Sequence, residues 1–104
     1  MLGRPELERM KAGAVLVNLA RPSLVDVDAM VSALRDGRLA SAYWDVWPRE
    51  PPAANDARLA TPGLILTPHA AWYSPVSEDG YRREAVDAIR AVLVDGREPP
   101  SRVA

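Results

Sequence analysis

Apolar residues along this chain follow two rhythms. Short continuous runs, "AVLVNLA" at 14–20, "LASAYWDV" at 39–46 and "LILT" at 64–67, alternate with stretches where apolar residues return every three or four positions. Each run is too short for most helices and predicts a strand. The first is broken only by Asn18, and it is expected to be buried on both faces.

The periodic stretches predict helices. In "DVDAMVSALRDG", Val27, Met30, Val31 and Leu34 stand at i, i+3, i+4 and i+7. That is one apolar stripe, with Asp26 as N-cap and Gly37 as the stop. "GRPELERMKAG" predicts a short helix with Pro5 in its first turn, Leu7 and Met10 on one face and Gly13 at its end. A last helix is expected over about 75–95, capped by Ser74, with Tyr81, Ala85, Ala88, Ile89 and Val92 as its apolar face and Gly96 ending it. Between the second and third strands lies "WPREPPAANDARLATPG". This Pro- and Ala-rich loop exceeds the usual connection, and long loops are often functional.

The order is therefore helix, strand, helix, strand, long loop, strand, helix. It predicts an α/β fold with about three parallel strands, consecutive strands lying side by side. Residues 1–96 are expected to form the folded part and 97–104 a tail.

Composition narrows the function. The 104 residues carry 13 basic and 14 acidic side chains, a net charge of −1. No basic face stands out, so nucleic acid is not expected as a direct partner. The chain has no cysteine, which excludes disulfides and thiolate metal sites, and no metal site is expected. The first residues lack the apolar stretch of a signal peptide, and no run approaches a membrane span. A cytoplasmic location without membrane contact is the expectation.

In a parallel sheet, ligands bind outside the carboxyl ends of the strands. Arg21 follows the first strand, Asp45 ends the second with Glu50 close behind, and His69, the only histidine, follows the third. Taken singly, these are ordinary: a surface ion pair, a loop cap, a solvated charge, a structural histidine. Four such groups on one rim make a candidate site.

The blocks that hold them, "GAVLVNLAR" at 13–21, "LVDVDAMVSALRDGRLASAYWDVWPREP" at 24–51 and "LTPHAAW" at 66–72, resemble the NAD-binding domain of the D-isomer-specific 2-hydroxyacid dehydrogenases. The aromatic in "HAAWYS" resembles the branch containing the C-terminal-binding-protein corepressors. The resemblance implies the C-terminal part of a Rossmann-type domain, NAD as cofactor and a small 2-hydroxy or 2-keto acid as substrate. It implies that Arg21 holds the substrate carboxylate, that His69 is the acid/base and that Glu50 is its partner. Asp45 would lie near the nicotinamide carboxamide. Leu19, Ala20 and Arg21 would line the cofactor, and His69, Ala70, Ala71 and Trp72 would close over it. A homodimer is also implied.

Two departures accompany the resemblance. No G-x-G-x-x-G phosphate turn occurs in these residues, so the expected fold lacks the glycine-rich half. Pro22 stands where the family usually has glycine after the arginine, and proline biases the preceding residue to extended conformations. The first strand is expected to leave an open apolar edge that invites association. Three functional readings follow: a 2-hydroxyacid dehydrogenase present as its catalytic half, a non-catalytic NAD-sensing corepressor-like protein, and a truncated inactive remnant.

Overall fold

Helix α2 (Val27–Arg35) forms where its stripe predicts, and the Asp26 side chain caps it by accepting from the Ala29 N–H at 3.0 Å. This satisfies one of the donors that a first turn leaves unpaired. Val27, Met30, Val31 and Leu34 are all buried, with Ala29 and Ala33 beside them. Gly37, at φ 70°, follows as the left-handed stop. This is the computed structural model of the chain, and it describes residues 1–99.

Helix α1 (Arg4–Glu8) is a short turn that buries Leu7, with Met10 partly buried against the same core. Three strands, β1 (Ala14–Asn18), β2 (Leu39–Trp44) and β3 (Leu64–Leu66), form a parallel sheet in the order β1-β2-β3. Consecutive strands are neighbours, as expected. Leu16, Leu39, Ala42 and Trp44 join Leu7 and the α2 stripe in one apolar core. Gly63 enters β3 at φ 80°, and a Cβ there would lie 3.1 Å from the Ala40 carbonyl. Only glycine suits both constraints.

Each strand is shorter than its apolar run. The ladders stop at Asn18, Trp44 and Leu66, and the residues beyond them form the sheet's carboxyl rim. Register fixes what meets there. Asn18 pairs with Trp44, and Trp44 with Leu66. The Asp45 N–H then donates to the Asn18 carbonyl at 3.1 Å, and the Thr67 N–H to the Trp44 carbonyl at 3.1 Å. Asp45 and Thr67 are thereby brought side by side.

The expectation that β1 is buried on both faces is corrected. Leu16 and Asn18 are buried, but Val15 and Val17 on the opposite face are 53% and 56% exposed. Tyr43 and Ile65 continue this bare apolar face on β2 and β3. A continuous apolar run reveals that both sides of a strand are greasy. It does not reveal whether a covering layer lies within the same residues.

The chain groups into two compact units, residues 1–71 and a second from Trp72 onward. Helix α3 (Pro75–Leu93) belongs to the second, and the Ser74 hydroxyl caps it by accepting from the Ser77 N–H at 3.0 Å. Its expected apolar stripe lies on the helix but is largely bare. Tyr81, Ala85, Ile89 and Val92 are exposed, Ala88 is half-buried, and Ala91 is the buried residue of the helix. Among the described residues of this unit there is no other helix or strand for the stripe to pack against. Of the expected tail, residues 100–104 lie outside the described residues.

Candidate active site

His69 follows β3 in the left-handed region, at φ 53°. Non-glycine residues rarely adopt this conformation, and it persists where the surroundings over-determine it. Asp45 provides that restraint. Its Oδ1 accepts from the Ala70 N–H at 2.9 Å and from the Thr67 hydroxyl, and its Oδ2 accepts from the Ala71 N–H at 2.9 Å. One buried carboxylate thus holds the residues on both sides of His69.

Asp45 is 1% exposed. Burial alone would raise its pKa, but the Thr67 hydroxyl, the Ala71 and Ala70 amides and the charge of His69 together hold it below the ordinary aspartate value. The side chain is therefore an anion whose ligands are mostly its own chain. Among the described residues, three donors hold this carboxylate.

Glu50 reaches His69 from the long loop. Its Oε2 lies 2.7 Å from His69 Nδ1, and its Oε1 accepts from the Trp47 N–H at 2.8 Å. The His69 bond and the Trp47 amide hold the Glu50 pKa below the usual glutamate value, against burial, with the charge of His69 assisting and that of Asp45 opposing. A carboxylate on Nδ1 orients the ring and sets its tautomer. Asp45, Glu50 and His69 line one cavity of about 440 Å³, with Trp47 and Thr67 in its wall. A smaller cavity of about 260 Å³ lies along the same rim, lined by Leu19, Tyr43, Ile65, Thr67, Ala70 and Ala71.

Arg21 is not gathered into either cavity. Its Nη1 donates to the neighbouring Ala20 carbonyl at 2.7 Å. The turn carrying it is shaped by Asn18, whose Nδ2 donates to the Arg21 carbonyl at 3.0 Å and whose Oδ1 accepts from the Ala20 N–H at 3.2 Å. With Pro22 behind it, Arg21 is extended at φ −143° and ψ 144°, the region a following proline favours. Trp72, in the second unit, stands edge-on to Tyr73 with ring centroids 5.6 Å apart, and its carbonyl accepts from the Ser77 hydroxyl at 2.7 Å.

The structure thus assembles Asp45, Glu50 and His69 around one cavity, places Leu19, Ala70 and Ala71 around a second, and leaves Ala20 and Arg21 in their own turn. Sequence reasoning missed Thr67 and the Trp47 amide. Thr67 had a signal, as a polar residue closing the apolar run before Pro68. The amide had none, because a backbone donor leaves no mark in sequence.

Comparison with known proteins gives a consistent relationship. Residues 1–71 match the family described as D-isomer specific 2-hydroxyacid dehydrogenase, NAD binding domain. A glycerate dehydrogenase of Methylorubrum extorquens is 41% identical over 102 residues, covering 94% of this chain and 29% of that protein. Glyoxylate/hydroxypyruvate reductase B of Enterobacter agglomerans is 34% identical over 93 residues, covering 89% of this chain and 29% of that protein. Among solved structures, D-lactate dehydrogenase with NAD+ from Lactobacillus jensenii superposes with a TM-score of 0.78 at 28% identity, over 100% of this chain and 35% of that one. The chain therefore spans about three-tenths of the curated relatives it matches.

Proposed function

This chain belongs to the D-isomer specific 2-hydroxyacid dehydrogenase family, and on that premise we propose that it supplies the acid/base half of an NAD-dependent oxidoreductase acting on a small 2-hydroxy or 2-keto acid. The observation that carries the reading is the His69–Glu50 pair, 2.7 Å apart, beside a buried Asp45 on the sheet's carboxyl rim. The names of the relatives, a glycerate dehydrogenase and a glyoxylate/hydroxypyruvate reductase, support a short acid of that kind as substrate.

The rim suits the nicotinamide end of the cofactor. Leu19, Ile65, Ala70 and Ala71 give an apolar wall, and Asp45, which lines the neighbouring cavity, is the residue the family resemblance assigns to the carboxamide. The nicotinamide, when bound, supplies or accepts the hydride. The chain's own residues handle the proton. With Glu50 on Nδ1, His69 exchanges its proton with the substrate oxygen through the opposite nitrogen, Nε2. It donates when a keto acid is reduced and accepts when a hydroxy acid is oxidised.

Arg21 is the group for the substrate carboxylate. A guanidinium makes two parallel hydrogen bonds to such a group. To do so it must leave the Ala20 carbonyl, which costs about one exposed hydrogen bond, roughly 0.5–1.5 kcal/mol.

The test combines binding and turnover. Energy transfer from the three tryptophans to NADH reports binding, and loss of NADH absorbance with hydroxypyruvate or glyoxylate reports reduction. His69→Gln is expected to retain NADH binding and to lower turnover by about 100- to 10,000-fold, the usual contribution of a positioned acid/base. Turnover unchanged by His69→Gln, or no saturable NADH binding, would remove the reading.

A further inference from the structure

Arg58 does not line the candidate cavity; it lies further along the same loop as Glu50, in a short 3-10 turn (Ala57–Ala60). It is nonetheless among the most heavily bonded side chains described. Its Nε donates to Asp56 Oδ1 and Oδ2 at 2.9 and 3.1 Å, and its Nη2 donates to Asp56 Oδ2 at 2.6 Å. Its Nη1 reaches Asp28 on α2 at 3.3 Å. The flat guanidinium also lies over the Trp47 ring, 5.7 Å from its centroid, within cation–π range.

These contacts meet at one residue. The Trp47 indole is 6% exposed and part of the core. Its backbone N–H is the donor that holds Glu50 Oε1, while Glu50 Oε2 holds His69 Nδ1. Between Trp47 and Glu50 lie only Pro48 and Arg49. A shift of the Trp47 backbone therefore changes the aim of the carboxylate directly.

We propose that Arg58 is a positioning residue: by tying the loop to α2 and covering the Trp47 ring, it fixes the Trp47 amide that orients Glu50 on His69. Its consequence for catalysis rests on the reading of His69 as acid/base given above. The geometric claim does not, so it is tested without turnover. A simple charge effect on Glu50 is a different matter, because the ionisable groups acting on that carboxylate are His69 and Asp45.

The decisive variant is Arg58→Lys, which keeps the charge but loses the planar fork. Two signals are read by NMR in the full chain: exchange of the Trp47 amide hydrogen, and titration of the Glu50 side-chain carboxyl. The expected result is about tenfold faster exchange at Trp47 and a Glu50 titration moved up toward the ordinary glutamate value. The ring nitrogens of the only histidine give a third signal, with loss of the hydrogen-bonded Nδ1 signature. Unchanged exchange and unchanged Glu50 titration in a folded Arg58→Lys protein would overturn the proposal.

If Arg58→Lys does not fold, Asp28→Ala gives the same test. Asp28 is largely solvent-exposed at its side chain, 81%, and its removal loosens only the tie to α2. The same changes, smaller, support the proposal, and their absence overturns it. Arg82→Leu, which removes an i,i+4 ion pair to Glu78 on α3, is expected to leave all three signals in place. The two readings fail separately. Altered Trp47 and Glu50 signals without keto-acid reduction by the parent would remove the dehydrogenase reading and leave Arg58 in its role. Activity with unaltered signals would do the reverse.

Discussion

The turn after β3 and the turn after β1 carry His69 and Arg21, to which the proposed function gives the proton and the substrate carboxylate, and they are held in different ways. His69 sits in a turn pinned from the neighbouring strand's end and from the long loop. Asp45 grips the Thr67 hydroxyl and the Ala70 and Ala71 amides, and Glu50 meets the ring. Arg21 sits in a turn pinned by its own neighbours, Asn18 and the Ala20 carbonyl. The turn proposed to handle the proton is preorganised by these residues, while the turn proposed to bind the carboxylate rests on local contacts. Preorganisation is worth most where a proton must move over a fixed short distance. A guanidinium seeking a carboxylate tolerates more freedom.

The comparison is broken most directly by removing each pin. Asp45→Ala removes a buried carboxylate and leaves two amides and one hydroxyl, on residues that are themselves exposed, without their shared acceptor. It is expected to cost about 3 kcal/mol or more of stability, read by urea unfolding, and to release the left-handed turn at His69. Asn18→Ala removes one donor and one acceptor from the β1 turn and is expected to cost about 1–2 kcal/mol. It should leave the His69 signals unchanged. Equal costs for the two variants, or a disturbed His69 in Asn18→Ala, would mean that the two turns are one cooperative unit and that the contrast drawn here is false.

How much of this was legible in the sequence follows from what each feature depends on. The α2 stripe and the caps at Asp26 and Ser74 depend on neighbours within a few positions, so they were readable. Strand order followed from connection rules. The strand ends were overrun because an apolar run does not stop where pairing stops. Residues 19–20, 45–46 and 67 look like strand but serve as rim. The contacts of Asp45 span 22 to 26 positions, and no local pattern encodes them. Arg58 drew no reading from the sequence: its pairing with Asp56 is local, but its ties to Trp47 and to Asp28, 30 positions away, are set only by the fold. The bare faces of β1 and α3 mark the same limit. Periodicity shows that a face is apolar, and only the fold shows what meets it.

A smaller effect sharpens the contrast through acid. The Arg58 side chain and amide hold Asp56 at a pKa of about 2, below its usual 3.8. A carboxylate lowered by folding stabilises the native state at pH values above its unfolded pKa, and this contribution fades as pH falls through the folded value. The loop clamp is therefore expected to persist at neutral pH and to weaken between pH 3.8 and about 2. Asp45 and Glu50, also lowered, lose their contributions in the same direction. Asp56→Asn should flatten the pH dependence of unfolding in that window while leaving Glu50 able to titrate. An unfolding curve that keeps its full slope in Asp56→Asn would show that the loop clamp is not linked to acid stability.

The smallest expected effect falls on the locally held turn. Pro22→Gly restores the residue type usual in the family after the arginine, and it removes the bias that keeps Arg21 extended at φ −143° and ψ 144°. Exchanging proline for glycine enlarges the unfolded ensemble, so stability should fall by about 0.4–1 kcal/mol. No native hydrogen bond is lost, because proline has no N–H to give. The Asp45, Glu50 and His69 signals should be unmoved, since none of their bonds passes through residue 22. What should change is the fit of substrate: a freer Arg21 can swing from the Ala20 carbonyl toward a carboxylate, lowering KM with kcat nearly constant. A change in kcat with KM constant would place Arg21 in the chemical step itself. The two turns would then have to be regarded as one preorganised site, with Pro22 among the residues that hold it.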